Sequence, residues 1–169
     1  MIKPFFVFTL IFFSSCSNIN PKYEYLEKDD SFRKKITTGD FVELSHGFTY
    51  FETNNIKNDE IAVFIHGFSV PSYIWDETYY ESIERGLGAI RLDLYGRGNS
   101  SNPDTIYNDL LYANQVIELL DHLNIMEKVS LIGLSNGGRV ISTIANLFPE
   151  RVKRLVYVAP GGFHDNKTE

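Results

Sequence analysis

Four short apolar runs constrain the fold of this chain more than any other feature of its sequence. Each is four or five residues long and is interrupted at most once by a polar or charged residue, which is typical of strands rather than helices. Such runs indicate strands that are buried on both faces, as in a parallel sheet covered by helices. The four predicted strands span residues 61–65, 89–92, 129–132 and 155–158.

Helical patterns lie between these runs. The segment from about 106 to 124 is predicted to be a helix, and Asp104 just before it is the predicted N-cap. Shorter helices are predicted over 75–85 and 136–147. In the longest helix, apolar residues recur at the i, i+3, i+4, i+7 spacing of one helix face: Val116, Leu119, Leu120 and Leu123.

A hairpin is predicted ahead of these elements. Residues 41–44 and 48–51 are β-prone and flank a short break that contains Gly47. After the hairpin, strands and helices alternate, which implies a mostly parallel sheet with right-handed crossovers and helices on both faces. We therefore predict an α/β fold with about six strands.

Composition limits the classes of function. The 169 residues suit one domain, and 43 % are hydrophobic, so a packed core is feasible. The 16 Lys and Arg against 22 Asp and Glu give a formal net charge of −6, which argues against an extended nucleic-acid surface. The single cysteine, Cys16, excludes an intrachain disulfide and a zinc site built from several thiolates.

The first residues have the pattern of an export signal. Lys3 precedes an unbroken apolar run over 5–13, which is too short to span a bilayer but suits the hydrophobic region of a signal peptide. Two serines then lead to Cys16. This arrangement resembles a bacterial lipoprotein signal, in which the chain is cleaved before a cysteine that becomes lipidated. Phe13 stands where that signal usually has leucine.

This resemblance implies an exported, membrane-anchored lipoprotein. We expect residues 1–15 to be the signal peptide, 16–35 a polar tether and 36–169 the folded domain. One alternative is an ordinary secretory signal with an incidental Cys16, which gives a secreted or periplasmic protein, and another is an uncleaved anchor. A loosely docked N-terminal arm is the alternative to the tether.

Residues 133–138, with the sequence GLSNGG, carry the sharpest chemical signal. They fit the pattern G-x-S-x-G and lie between a predicted strand and a predicted helix, the context that a nucleophile elbow requires. The glycines leave room for a sharp turn that pushes the Ser135 hydroxyl out above the carboxyl edge of the sheet. The alternative is a glycine-rich turn in which Ser135 only caps the helix.

Two backbone N–H groups are predicted to face Ser135. The start of the following helix places the Asn136 N–H where an oxyanion would form. A second donor has to come from the loop after an earlier strand, and Phe68, which follows His66 and Gly67, is the candidate. His66 itself is expected to shape this loop, the alternative being a catalytic base.

The loop at 93–100 follows another predicted strand. Asp93 and Arg97 are expected to brace this loop, the alternatives being a catalytic acid and an anion clamp. Neither a dinucleotide-binding nor a Walker phosphate-loop pattern is present. Asp121 and His122 are neighbours on a predicted helix and so point about 100° apart, which makes them a poor metal pair. No metal or organic cofactor is therefore predicted.

Three segments together resemble the α/β-hydrolase fold superfamily, in its group of small esterases, lipases and C–C bond hydrolases. They are FIHGF at 64–68, DLYGRGNS at 93–100 and GLSNGG at 133–138, and the resemblance covers about residues 40–163. It implies that Ser135 is the nucleophile and that the Phe68 and Asn136 N–H groups form the oxyanion hole. Members commonly have methionine where this chain has Asn136.

The resemblance also implies an acid and a histidine that follow the serine in the chain. The only histidine after Ser135 is His164, directly before Asp165. Adjacent residues cannot easily form the Ser–His–acid line. We therefore expect both partners to be absent from this chain, which would make residues 36–169 a partial α/β-hydrolase domain without the cap and final strands. The run at 155–158 would then be an exposed apolar edge.

The function that this resemblance implies is hydrolysis of a carboxylic ester or similar acyl bond in a small molecule. Ser135 would attack the carbonyl carbon, and no nucleic-acid partner is expected. The alternative from a different class is a catalytically inactive remnant that serves as a lipid-anchored surface or binding protein. The sequence indicates neither the particular substrate nor the oligomeric state.

Overall fold

A six-stranded sheet runs through residues 27–162, the part of the chain that the computed structural model describes. The strand order is β1-β2-β4-β3-β5-β6, with the antiparallel β1 and β2 at one edge and four parallel strands beside them. This arrangement confirms the predicted α/β class with six strands. The strands are β1 (Asp40–Leu44), β2 (Gly47–Asn54), β3 (Ile61–Ile65), β4 (Gly88–Leu92), β5 (Val129–Leu134) and β6 (Val152–Val158).

Four helices accompany the sheet in these described residues. Those predicted over 75–85 and 136–147 agree with the structure to within one residue at each end. None of the helices between residues 27 and 162 is long and apolar enough to cross a membrane. The helices are α1 (Asp30–Arg33), α2 (Asp76–Glu84), α3 (Asp109–His122) and α4 (Asn136–Leu147).

The start of α3 corrects the sequence prediction. The helix begins at Asp109, and its N-cap is Asn108 rather than Asp104. The Asn108 backbone is extended, and its side-chain oxygen accepts a hydrogen bond from the Leu111 N–H at 2.9 Å. An amide oxygen in this position satisfies one of the unpaired N–H groups of the first turn. Asp104 lies in a tight turn, in which the Thr105 N–H donates a hydrogen bond to the Pro103 carbonyl.

The side chains of β3 alternate between two cores, one on each face of the sheet. Val63 and Ile65 pack in the larger core, which includes α3 and α4. Phe64 points to the other face and packs against Trp75 and Tyr79, at the start of α2 and within it. Because both faces are covered, β3 is buried throughout, as its unbroken apolar sequence predicts.

Strand β6 forms the other edge of the sheet. Within residues 27–162 it pairs with β5 alone. Val156 and Val158 remain 45 % and 38 % exposed. In the described part of the chain, the run at 155–158 therefore lies at an edge of the sheet and leaves apolar side chains exposed, as the sequence predicts.

The described part of the predicted 16–35 tether lies against the sheet. The Lys28 ammonium donates to the Ser100 carbonyl at 2.5 Å and to the Asn102 side-chain oxygen at 3.1 Å. The Arg33 guanidinium lies 3.7 Å from the centre of the Phe48 ring. Residues 27–35 therefore contact β2 and the loop after β4. The predicted signal peptide, with Cys16, lies outside the described residues.

Candidate active site

The turn between β5 and α4 holds Ser135 in a backbone conformation that only glycine adopts readily. Its φ is 50° and its ψ is −115°. The Ser135 N–H donates to the Val158 carbonyl at 3.0 Å. The Ser135 carbonyl accepts hydrogen bonds from the Gly138 N–H at 2.9 Å and the Gly161 N–H at 3.0 Å. The loop after β6 and the first turn of α4 thus hold the strained residue in place.

The close approach of α4 to β3 restricts the backbone conformation of this turn. A Cβ atom placed on Gly137 would lie 2.3 Å from the Ile65 carbonyl oxygen, and one on Gly133 would lie 2.4 Å from the Gly137 carbonyl oxygen. Any side chain at either position would force the helix away from the sheet. The chain therefore has to reverse within the one residue between β5 and α4.

The Ser135 hydroxyl is not used to cap α4. Ser135 stands at the N-cap position, but its side chain accepts no hydrogen bond from the first turn. The capping role that the sequence left open is therefore not what the structure shows. A Cβ atom on Gly67 or on Gly161 would lie 3.7 Å from Ser135 Oγ, so two residues without side chains flank the hydroxyl and leave access to it.

Asn136 and Phe68, the residues whose N–H groups are predicted to face Ser135, both adjoin it, Asn136 in the chain and Phe68 in the lining of one cavity. Asn136 is the first residue of α4, so its N–H is one of those that a helix leaves without an intrahelical partner. Phe68 follows Gly67, where a Cβ atom would lie 3.2 Å from Ser135 Cβ. Within residues 27–162, no oxygen accepts a hydrogen bond from the Phe68 N–H. N–H groups in such positions can stabilise a negatively charged oxygen bonded to a carbon that Ser135 attacks.

His66 bridges two loops and is not placed as a base. Its ring is fully buried, and Nε2 accepts a hydrogen bond from the Leu94 N–H at 2.9 Å. Because a backbone N–H can only donate, Nδ1 carries the ring proton and donates to the Gly67 carbonyl at 2.7 Å. Burial lowers the pKa of His66 below its usual 6.5. Both ring nitrogens are thus occupied by the backbone, as the loop-shaping interpretation expects.

Asp93 and Arg97 also join loops. The two Asp93 carboxylate oxygens accept hydrogen bonds from the Ser72 N–H and the Asn99 N–H, both at 2.8 Å. The Arg97 guanidinium donates to the Phe68 carbonyl at 2.5 Å and to the Gly96 carbonyl at 3.0 Å. These contacts agree with the bracing role, because the carboxylate faces backbone donors and the guanidinium faces backbone acceptors.

A cavity opens directly beside Ser135. Its volume is about 210 Å³, and its walls are mainly apolar. A larger cavity of about 520 Å³ lies near the N-terminal arm and does not include Ser135. The charged Arg91 of that larger cavity is already paired with Glu52 at 2.8 Å. The smaller cavity is therefore the one next to the Ser135 hydroxyl, and it is lined by Gly67, Phe68, Ser69, Val70, Ile74, Leu134 and Ser135.

The sequence analysis did not identify Gly161 as a residue of this site. Its N–H bonds to the Ser135 carbonyl, and a Cβ atom placed on it would lie 3.8 Å from the Asn136 nitrogen. The available signal was the Pro160–Gly161–Gly162 sequence, which begins two residues after the end of β6, at the same carboxyl edge of the sheet as Ser135. His164 and Asp165 lie outside the described residues.

The family of the chain follows from its sequence as well as from this geometry. Residues 63–169 match the family model described as the α/β hydrolase fold. The chain therefore belongs to the α/β-hydrolase fold family. The matched residues include the loops that follow β3 and β4, the turn between β5 and α4, and the parallel strands of the sheet from residue 63 onward.

Several enzymes resemble the chain over part of their length. A cis-3-alkyl-4-alkyloxetan-2-one decarboxylase of Shewanella oneidensis is 34 % identical over 65 % of this chain and 35 % of its own length. A hydrolase structure from Pseudomonas aeruginosa is 25 % identical, with a TM-score of 0.68, over 76 % of this chain and 48 % of its own. A carboxylesterase structure from Nitrososphaera gargenis is 25 % identical, with a TM-score of 0.68, over 74 % and 47 %. The chain thus spans less than half of each of these relatives.

The buried His66 predicts a pH dependence of stability. Its folded-state pKa lies below the unfolded-state value of 6.5, so the unfolded chain binds the proton more readily. The stabilisation by neutral His66 is complete above pH 6.5 and is lost as the pH falls toward the folded-state pKa. Chemical denaturation between pH 7.5 and 5 should show a steeper loss in the wild type than in His66→Gln, by up to about 1.4 kcal/mol per pH unit.

The exposed His122 provides the control for this measurement. The same measurement on His122→Gln shows how much the loss of an exposed imidazole alone changes the slope of unfolding free energy against pH. Equal slopes for the wild type and His66→Gln would contradict the assignment of a buried, neutral His66.

Proposed function

We propose that this chain is the nucleophile-bearing part of a serine hydrolase that acts on carboxylic esters or similar acyl bonds. The observation that carries the proposal is the backbone of Ser135, which has a φ of 50° and a hydroxyl that no first-turn N–H engages. A strained non-glycine residue persists only where the surrounding structure holds it, and such residues cluster at functional sites. Here the strain leaves the hydroxyl uncapped beside two N–H donors.

In the proposed reaction, Ser135 Oγ attacks the carbonyl carbon of the ester and its proton passes to a histidine base. The carbonyl π electrons move to the oxygen, and the Phe68 and Asn136 N–H groups donate to that oxyanion. Collapse of the tetrahedral intermediate expels the alcohol, which takes the proton from the histidine. Water then attacks the acyl-serine by the same route and releases the acid.

The proposal places the histidine and the acid outside residues 27–162. Within that range, no side chain hydrogen-bonds to Ser135 Oγ, and both nitrogens of the nearby His66 are occupied. The order nucleophile, acid, histidine along the chain also directs the two partners to positions after Ser135. The adjacent pair His164 and Asp165 remains the alternative source of the base.

The proposed substrate is a small-molecule ester with an apolar group next to the reacting carbonyl. The cavity beside Ser135 is walled by Phe68, Val70, Ile74 and Leu134, which offer apolar contacts and no charge. A carboxylesterase is among the similar structures, which supports ester chemistry for this chain. The decarboxylase among the similar proteins shows that resemblance alone does not select the substrate.

We also propose that the chain is exported and anchored to a membrane through a lipid on Cys16. The proposal is supported by the apolar run at 5–13 and the serines that lead to this cysteine. A lipidated N-terminus would tether the hydrolase domain to the membrane surface.

Labelling with a fluorophosphonate probe tests the proposed nucleophile. The chain should be labelled at Ser135 slowly, because the base lies outside the described site, and added imidazole should accelerate labelling by about tenfold or more as a substitute base. Ser135→Ala should abolish the signal. Ser142→Ala is the matched control, since Ser142 lies on α4 and its hydroxyl donates to the Gly138 carbonyl at 2.8 Å.

Two results would count against the proposal. Labelling that persists in Ser135→Ala would assign the reactivity to another residue. A folded protein that is not labelled even with imidazole would favour the alternative function, a catalytically inactive remnant that serves as a surface or binding protein.

Metabolic labelling with an alkyne-tagged palmitate tests the proposed anchor. The chain expressed in a bacterial host should incorporate the lipid and enter the membrane fraction, and Cys16→Ser should lose both properties. Cys16 is the only cysteine, so no second thiol can take its place. An unlabelled chain that is exported in soluble form would instead support the ordinary secretory signal.

A further inference from the structure

The Arg97 side chain contacts Phe68 in two ways. Its Nε donates to the Phe68 carbonyl at 2.5 Å, and its guanidinium carbon lies 4.4 Å from the centre of the Phe68 ring. Both contacts come from one planar group, which can donate in its plane and stack through its face. A further hydrogen bond to the Gly96 carbonyl at 3.0 Å holds the guanidinium in place.

Arg97 is one of two side chains that fix the backbone at Phe68. His66 Nδ1 donates to the Gly67 carbonyl at 2.7 Å, and because the peptide unit is planar, this fixes the direction of the Phe68 N–H. Arg97 holds the next carbonyl, that of Phe68 itself. Packing in the core cannot fix the position of Phe68, because this residue is 67 % exposed.

The loop that carries Arg97 is also held by hydrogen bonds that do not involve the guanidinium. Asp93 Oδ2 accepts the Asn99 N–H at 2.8 Å, and the Ser100 hydroxyl donates to the Asp93 carbonyl at 2.5 Å. The backbone of Arg97 closes a turn with its N–H on the Leu94 carbonyl at 3.0 Å. The Arg97 guanidinium adds its bond to the Gly96 carbonyl within the loop and, in addition, reaches Phe68 in the neighbouring loop.

We propose that Arg97 is a positioning residue for the hydrolase site. It fixes the Phe68 carbonyl on one side of the Phe68 Cα while His66 fixes the peptide unit with the Phe68 N–H on the other, so that the two side chains together hold the Phe68 backbone, and it keeps the Phe68 ring as a wall of the 210 Å³ cavity. Arg97 acts through Phe68 and does not itself touch the substrate. The inference rests on the proposed function, because it assigns a purpose to the N–H donor of that reaction.

Saturation kinetics of fluorophosphonate labelling test this role. Arg97→Met keeps the length of the side chain but removes the donor and the charge. It should lower the maximal labelling rate about ten- to a hundredfold, the size expected when an oxyanion donor is misplaced, while the half-saturating probe concentration changes little. Arg97→Lys keeps a donor and should recover part of the rate. Arg85→Met, at a highly exposed arginine paired with Glu81, is the control.

The ¹⁵N relaxation of the Phe68 amide provides a measurement that does not depend on activity. In Arg97→Met its order parameter should fall from a rigid value near about 0.85 to below about 0.6, and in Arg85→Met it should stay high. A Phe68 amide that remains rigid in Arg97→Met, or labelling at the wild-type rate, would overturn the proposal. If the wild type is not labelled at all, the proposed function fails, and the relaxation data still decide whether Arg97 positions Phe68.

Discussion

The contact between the start of α4 and the carboxyl end of β3 is the constraint on which the site depends. A Cβ atom on Gly137 would stand 2.3 Å from the Ile65 carbonyl oxygen, so the helix packs against the strand with no side chain between them. Once the helix is this close, the chain has to turn at Ser135, and the φ of 50° follows. The same contact sets the Asn136 N–H at the edge of the sheet, next to the loop after β3.

A second layer of contacts holds the loops around that turn. His66, Asp93 and Arg97 carry the kinds of side chain that catalysis uses, yet each directs its polar atoms at the backbone of a neighbouring loop. His66 stays neutral because burial lowers its pKa, and a neutral ring can both accept from the Leu94 N–H and donate to the Gly67 carbonyl. These polar groups thus hold the backbone around the Ser135 turn, where we propose that the Ser135 hydroxyl reacts.

Strands and the main turn were predictable because local sequence determines them. The apolar run of β3 needs two covered faces, and the spacing of glycines around Ser135 needs a tight strand–helix turn. The predicted N-cap of α3, Asp104, was wrong because Asp and Asn both favour the N-cap position, and the structure shows that the extended backbone and the side-chain hydrogen bond are at Asn108. The contact of Arg97 with Phe68 joins residues 29 positions apart, a separation for which one sequence offers no signal.

A crystal structure of the protein after reaction with a phosphonate probe would show directly whether an oxyanion-binding site surrounds Ser135. We predict a covalent bond to Ser135 Oγ, with the phosphonyl oxygen about 2.7–3.1 Å from the Phe68 and Asn136 nitrogens. An adduct whose phosphonyl oxygen faces solvent, away from both N–H groups, would contradict the claim that the close packing of α4 on β3 builds an oxyanion-binding site around Ser135.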